Sequence, residues 1–234
     1  IVKNNESKVL NATDGRKSSK IKGIPKLHDA SKAGTKDSNK CSLFLCEGDS
    51  ALTMLLSGLT SKDRETCGAF PLKGKLLNVR DASTTQISGN TEITNIKKIL
   101  GLQQGKTYTS TKDLRYGNVV IICDQDLDGS HIKGLLLNVF DIFWPNLITS
   151  GYIKNMTTPI VRATGPRKAV KLFYNDFEYS QWKESVNISS WKIKYLKGLG
   201  SSTSADSKEY FKDFARSLVS YSRDSKSDES MKLA

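Results

Sequence analysis

Three aspartates at alternate positions are the residues of this chain best suited to metal chemistry. Asp124, Asp126 and Asp128 follow directly after the apolar run VVIIC at residues 119–123. A short β-branched apolar run bounded by polar residues predicts a buried strand. In an open parallel sheet, ligands bind outside the carboxyl ends of the strands. Carboxylates this close together repel one another unless a divalent cation neutralises them, and hard oxygen ligands suit Mg²⁺.

Taken alone, this acidic motif leaves several interpretations open. It fits the first six positions of an EF-hand calcium loop, but Leu135 stands where that loop needs a glutamate, and a strand is predicted before the motif instead of a helix. A strand that ends in D-x-D also fits a phosphatase in which Asp124 is the nucleophile. The two other possibilities are a magnesium site for phosphoryl transfer on nucleic acid and a solvated acidic turn without a function.

A second acidic motif follows another predicted strand. Residues 41–46 read CSLFLC, and Glu47 comes directly after them. Gly48 permits a tight turn, and we expect Asp49 or Ser50 to cap the helix whose leucines follow at helical spacing. One glutamate and three aspartates on neighbouring strand ends can hold two metal ions about 4 Å apart, an arrangement suited to phosphodiester chemistry.

Together, the two acidic motifs resemble those of the TOPRIM domain of type IIA DNA topoisomerases. Three further segments carry the same resemblance: PLKGKLLNVR at residues 71–80, IKGLLLN at 132–138 and KYLKGLGSST at 194–203. The second of them resembles eukaryotic topoisomerase II and not bacterial gyrase. Two positions depart from the family pattern. Lys73 stands where Arg is usual, which keeps the charge but loses the bidentate fork, and Leu196 stands where the family is more polar or aromatic.

The chain is predicted to have an α/β fold, and the resemblance makes it a Rossmann-like TOPRIM parallel sheet flanked by helices, with a small α+β extension. Apolar strands alternate with helical patterns in the core, which favours βαβ units. The predicted organisation is a basic linker or arm at 1–40, the TOPRIM core at 41–158, a strand-rich extension with a C-terminal helix at 159–220, and a tail at 221–234. Within it we predict helices near 90–100 and 132–143, strands at 159–162, 170–174 and 191–195, and a final helix capped by Ser204 or Asp206.

The resemblance implies a metal-binding role for each of the four carboxylates. Glu47 and Asp124 would bind the catalytic Mg²⁺, and Asp126 with Asp128 would bind a second ion. Mn²⁺ or Ca²⁺ would substitute in binding. Glu47, Asp124 and Asp126 would be the catalytic residues, with Glu47 acting as a general acid or base when the DNA strand rejoins.

The resemblance also implies a set of DNA contacts. The residues expected to bind DNA are Lys73, Lys75, His131, Lys133, Lys197, Gly198 and Ser201. For His131 and Lys133, an ordinary place at the start of a helix remains an alternative. For the turn at 198–202, a structural role before a helix remains an alternative to binding the DNA backbone through its amides.

The activity implied by the resemblance is the ATP-driven passage of one DNA duplex through another by a homodimer. The family's nucleophile is a tyrosine in a winged-helix region that follows the TOPRIM domain, and we recognise neither that region nor the ATPase motifs in these residues. We therefore expect a piece of a longer enzyme, inactive alone, that uses ATP only through a domain outside this chain. The alternatives are a phosphatase-like Mg²⁺ enzyme with an aspartyl nucleophile and a non-catalytic basic DNA-binding module.

Composition agrees with a nucleic-acid partner. The net charge is +12 and the pI is about 9.5, which indicates a polyanionic partner or simply a soluble basic protein. The sequence shows no signal peptide or membrane span, and four cysteines without a CxxC pair predict reduced thiols and no zinc site. We expect an intracellular protein, located in the nucleus if cellular, or in the host cytoplasm or nucleus if it comes from a large DNA virus.

Overall fold

The computed structural model describes residues 2–196, 199–201, 203–212 and 217–222 and the single residues 224, 227 and 229. The α-helices of this part are α1 (Val2–Asn11), α2 (Gly48–Gly58), α3 (Thr84–Gly89), α4 (Thr91–Leu100), α5 (Leu127–Phe143), α6 (Pro145–Thr149), α7 (Asp176–Ser185) and α8 (Ser204–Lys212). The strands are β1 (Ser42–Glu47), β2 (Cys67–Leu72), β3 (Asn118–Ile122), β4 (Ile153–Met156), β5 (Val161–Thr164), β6 (Val170–Phe173), β7 (Lys192–Tyr195) and β8 (Leu218–Ser220). Among these helices, none is both long and apolar enough to cross a membrane.

The main sheet has the strand order β2-β1-β3-β4-β8. Its first four strands run parallel, and β8 joins β4 as an antiparallel edge strand. Glu47 pairs with Leu72 on one side of β1, and Cys46 pairs with Ile122 on the other side. The carboxyl ends of β1, β2 and β3 therefore meet at one edge of the sheet, as the sequence predicted for the two acidic motifs.

Helices cover both faces of this sheet. Successive strand residues point to opposite faces, so Leu43 and Leu45 contribute to one buried cluster with residues of α4 and α5. Phe44 and Cys46 contribute to a second cluster with residues of α2 and α8. Burial on both faces explains why β1 and β3 are continuous apolar runs instead of alternating ones. The predicted parallel α/β sheet flanked by helices is confirmed.

A smaller antiparallel sheet forms the predicted α+β extension. Its order is β6-β5-β7, and α7 packs on one face through an aromatic cluster of Phe173, Tyr179 and Trp182. Asp206 of α8 forms an ion pair with Arg162 of β5. This pair ties the smaller sheet to the α2 side of the core. The three-residue strand β8 was not predicted, because a segment that short shows no readable period.

Part of the segment at 1–40 packs against the core, although its composition suggested a linker or arm. Ala30 and Ala33 are buried. Asp29 accepts hydrogen bonds from the guanidinium of Arg115, which is fully buried, and from the hydroxyl of Tyr116. The composition of a Lys- and Ser-rich stretch gives no signal for such a contact, because the partners of Asp29 lie more than 80 residues away. The boundary at residue 40 stays a prediction, as do the other domain boundaries.

Candidate functional site

Glu47 lies at the carboxyl end of β1, directly before the first residue of α2. Gly48 begins that helix with a φ of 73°, a left-handed conformation that glycine adopts without strain. The helix thus starts earlier than the sequence suggested. Glu47 occupies the N-cap position, and the prediction that Asp49 or Ser50 caps α2 is wrong, because both lie inside its first turn. The early start leaves the half-buried carboxylate of Glu47 at the sheet edge.

Asp124 stands beside Glu47 on the neighbouring strand end. Its backbone N–H donates to Oε2 of Glu47 at 2.9 Å, which joins the two acidic motifs directly. Its own carboxylate Oδ1 accepts a hydrogen bond of 2.6 Å from the amide of Leu199. Backbone amides from two separate segments therefore fix the positions of Glu47 and Asp124.

Asp126 occupies the N-cap position of α5. Its Oδ1 accepts the backbone N–H of Gly129 at 2.8 Å, which satisfies one of the free donors at the helix start. Gly129 also brings the helix close to the strand end, because a Cβ added there would lie 2.2 Å from the carbonyl oxygen of Asp124. This close approach gives a structural reason for the glycine in the acidic motif.

Asp128 lies in the first turn of α5, and it is exposed. Nζ of Lys75 lies 2.8 Å from its Oδ1, so a lysine predicted to bind DNA pairs here with a predicted metal ligand. The hydrogen bond and the charge of Lys75 lower the pKa of Asp128, and His131 adds a smaller effect in the same direction. Among the residues that the structure describes, Asp128 is therefore the one member of the acidic cluster with a positively charged side chain paired to it.

Glu47 shares the acidic edge with three other carboxylates. Burial raises the pKa of Glu47; the amide of Asp124 opposes this shift, and the charges of Asp124, Asp126 and Asp128 add to it. Within the described ranges, no Lys, Arg or His side chain forms an ion pair with Glu47, Asp124 or Asp126. A divalent cation would relieve this repulsion.

The carboxylates fit Mg²⁺ by donor type and by charge, but they do not form a ready cage. Across the described residues, no group of three or more His, Cys, Asp or Glu side chains is arranged to hold a metal ion. Each carboxylate has another partner instead: an amide for Glu47, Asp124 and Asp126, and Lys75 for Asp128. Mg²⁺ usually keeps several waters and takes one or two carboxylates. The assignment of these four residues as ligands stays a prediction.

Four of the predicted DNA contacts surround the same edge of the sheet: Lys73, Lys75, His131 and Lys133. The first two follow the end of β2, and the other two lie in the first turns of α5; of the four, only Lys133 is half-buried. Lys197 and Gly198 lie outside the described residues, and of Ser201 only the backbone is described, in the short helix Leu199–Ser201. Their DNA-binding roles stay predictions.

Two residues of this edge make contacts that the sequence did not predict. Lys26 forms an ion pair with Asp49 at the start of α2, but in the sequence it is one of many lysines in a basic stretch. Leu199 holds Asp124 through its amide, whereas the sequence left the turn at 198–202 open between binding the DNA backbone through its amides and a structural role before a helix. Neither contact has a local signal, because their partners are 23 and 75 residues away.

An acidic edge on a parallel sheet with helices on both faces defines a class of α/β domains that bind ligands beyond their strand ends. Residues 42–160 match the family described as the Toprim domain, and residues 156–234 match the C-terminal associated domain of TOPRIM. The chain belongs to the Toprim family.

Curated relatives point to one group of enzymes. The chain is 52% identical over 214 residues to DNA topoisomerase 2 of Pisum sativum, covering 90% of this chain and 15% of that protein. It is 51% identical over 227 residues to DNA topoisomerase 2 of Drosophila melanogaster, covering 95% and 16%. The chain thus spans about a sixth of the length of these relatives.

A solved structure shows the same fold. The DNA-binding, cleavage and re-ligation domain of Plasmodium falciparum topoisomerase II superposes with a TM-score of 0.86 at 46% identity. The match covers 92% of this chain and 30% of that one. The similarity therefore extends over nearly the whole chain, including the antiparallel extension.

Proposed function

We propose that this chain is the metal-holding part of a type II DNA topoisomerase, which cleaves and rejoins duplex DNA to pass a second duplex through the break. The observation that carries the proposal is the direct link between Glu47 and Asp124. Two carboxylates without a cation of the described chain beside them meet at the ligand-binding edge of a Toprim sheet. Membership of this family favours DNA chemistry over the phosphatase that the aspartate motif alone left open.

Glu47 and Asp124 would hold one Mg²⁺, and Asp126 with Asp128 would hold a second ion. When bound, Mg²⁺ supplies positive charge to the phosphodiester oxygens of the reacting DNA. The amides of Asp124 and Leu199 keep the first two carboxylates in place. The resemblance assigns Glu47 a second role, as a general acid or base when the strand rejoins.

Lys73, Lys75, His131 and Lys133 would contact DNA phosphates around this edge, and the net charge of +12 supports a polyanionic partner. Homodimerisation, use of ATP and the tyrosine nucleophile belong to the longer enzyme in this proposal. An intracellular location, wherever that enzyme meets duplex DNA, is part of the same proposal.

A chimeric enzyme tests the proposal. The matching segment of the Drosophila melanogaster topoisomerase 2 is replaced by this chain, and DNA cleavage, relaxation and duplex binding are measured with Mg²⁺. We expect the chimera to cleave DNA, and we expect Asp124→Ala or Glu47→Ala to suppress cleavage while binding persists, because phosphate contacts carry most of the affinity. A variant that cleaves at the unmodified chimera's rate under saturating Mg²⁺ would contradict the assignment. A folded, dimeric chimera without cleavage would contradict the function.

A further inference from the structure

His28 pairs with β2, which lies at an edge of the main sheet. His28 and Ala69 exchange two backbone hydrogen bonds of 2.9 and 2.8 Å in an antiparallel bridge. Because the bridge is antiparallel, residues before His28 lie beside residues after Ala69, toward the carboxyl end of β2. Lys26 therefore reaches the same edge of the sheet as Glu47.

Lys26 is held in a strained conformation with its ammonium group at the first turn of α2. Its φ is 60°, in the left-handed region that residues other than glycine rarely adopt. Its Nζ lies 2.9 and 2.6 Å from the two carboxylate oxygens of Asp49. Both side chains remain about half exposed or more, at 49% and 65%. An exposed ion pair contributes little to stability, so this pair does not by itself account for the strained backbone.

A second lysine–aspartate pair lies at the same edge on the other face of the sheet. Lys75, from the loop after β2, pairs with Asp128 in the first turn of α5. Helix α2 packs on the face that carries Phe44, whereas α5 packs on the opposite face. One exposed lysine–aspartate pair thus stands over each face, and Glu47 lies at the edge between them.

We propose that Lys26 is a DNA-binding residue that contacts a backbone phosphate on the α2 side of the acidic edge, opposite the contact of Lys75 on the α5 side. The proposal rests on the function proposed above and adds a residue to it. In the free protein, Asp49 holds the Lys26 ammonium at the edge, and a phosphate oxygen replaces the carboxylate when DNA binds. A lysine serves this exchange as a compact, exposed point charge with three donors.

The test is the salt dependence of duplex DNA binding by the chain, measured by fluorescence anisotropy in EDTA so that metal plays no part. Each phosphate contact contributes about 0.9 to the slope of log affinity against log salt concentration. We expect Lys26→Ala to lower the slope by about 0.9, so that the affinity loss between about 50 and 200 mM salt is about 3.5-fold smaller. Lys75→Ala should do the same, and Asp49→Asn should raise the affinity because it removes the competing carboxylate.

Two further variants control for folding and for charge. Lys26→Gly removes the same ammonium but relaxes the left-handed backbone, so it should match Lys26→Ala in slope and remain folded. Lys62→Ala removes an exposed lysine that precedes β2, at the opposite edge of the sheet, and should leave the slope unchanged.

The outcomes separate this inference from the proposed function. If Lys75→Ala lowers the slope and both Lys26 variants do not, Lys26 makes no phosphate contact and the function stands. If Lys62→Ala lowers the slope as much as Lys26→Ala, the effect is one of general charge and the inference is wrong. If the unmodified chain shows no salt-dependent binding to duplex DNA, the inference is wrong, whereas the proposed function is judged by cleavage in the chimera.

Discussion

Replacing Asp29 by alanine should lower the free energy of unfolding, because it breaks the contact that holds the N-terminal segment against the core. In the folded chain, the guanidinium of Arg115 lies 2.5 Å from Oδ2 of Asp29 and 3.3 Å from Oδ1, and the Tyr116 hydroxyl donates to Oδ1 at 2.5 Å. The Arg115 side chain is completely buried, and that of Asp29 is 26% exposed. Asp29→Ala would therefore leave a buried positive charge without its counter-ion.

The loss of folding free energy in Asp29→Ala depends on the hydrogen bonds that Arg115 keeps in the variant. Removing one partner of a buried ion pair costs about 3–5 kcal/mol of folding free energy. Arg115 would still donate to the carbonyl oxygens of Ser18 and Ile99, at 2.5 and 2.8 Å. We therefore expect a loss of about 3 kcal/mol, at the lower end of that range. Tyr116→Phe removes a single hydroxyl and should cost about 1–2 kcal/mol.

Urea denaturation of the chain and its variants, followed by circular dichroism, measures these differences. The matched control is Asp113→Ala, which breaks an exposed pair with Lys106 and should leave the free energy of unfolding unchanged within error. A loss of less than about 1 kcal/mol for Asp29→Ala, the size of a surface pair, would refute the conclusion that a buried pair anchors the segment carrying Lys26.

Three further predictions concern pH, glycine packing and activity. Burial opposes ionisation of Asp206, but hydrogen bonds from Thr203 and nearby positive charges lower its pKa below the ordinary 3.8. The charged form therefore stabilises the fold above that pH, and the stability advantage over Asp206→Asn should vanish in acid denaturation as the pH falls through the lowered value. Gly129→Ala should cost about 1–3 kcal/mol in urea denaturation through its clash with Asp124, whereas Gly89→Ala, which has open space, should cost nothing. The isolated chain should form no covalent adduct with supercoiled DNA on a denaturing gel, and an adduct would make one of its own tyrosines catalytic.

The fold and the location of the acidic edge were readable from the sequence because their signals are local. The apolar runs before Glu47 and Asp124 are buried strands, and strand ends in a parallel sheet meet at one edge. Helix α4 begins after Asn90, close to the predicted start, because an N-cap side chain marks it.

The sequence could not predict which side chains pair at the acidic edge and in the N-terminal segment, because these pairs depend on contacts between distant segments. The Lys75–Asp128 pair joins residues 53 positions apart, and no pattern in either segment indicates which of several lysines would form it. The same holds for Asp29 and Arg115, since a Lys- and Ser-rich stretch carries no period that distinguishes packed from solvated backbone. Helix α2 starts two or three residues earlier than a cap at Asp49 or Ser50 would place it, because Gly48 itself adopts the left-handed turn.

The central claim is that Glu47 and Asp124 hold a divalent ion, and Mn²⁺ titration of the nitrogen-15-labelled chain by NMR tests it most directly. We predict that Mn²⁺ first broadens amide signals near Glu47 and Asp124, and that Glu47→Gln and Asp124→Asn weaken this binding severalfold. Asp126→Ala should weaken binding of the second ion, and an unchanged affinity in that variant would remove Asp126 from the metal site. Equal Mn²⁺ affinity in the unmodified chain, Glu47→Gln and Asp124→Asn, or broadening centred elsewhere in the sheet, would contradict the account.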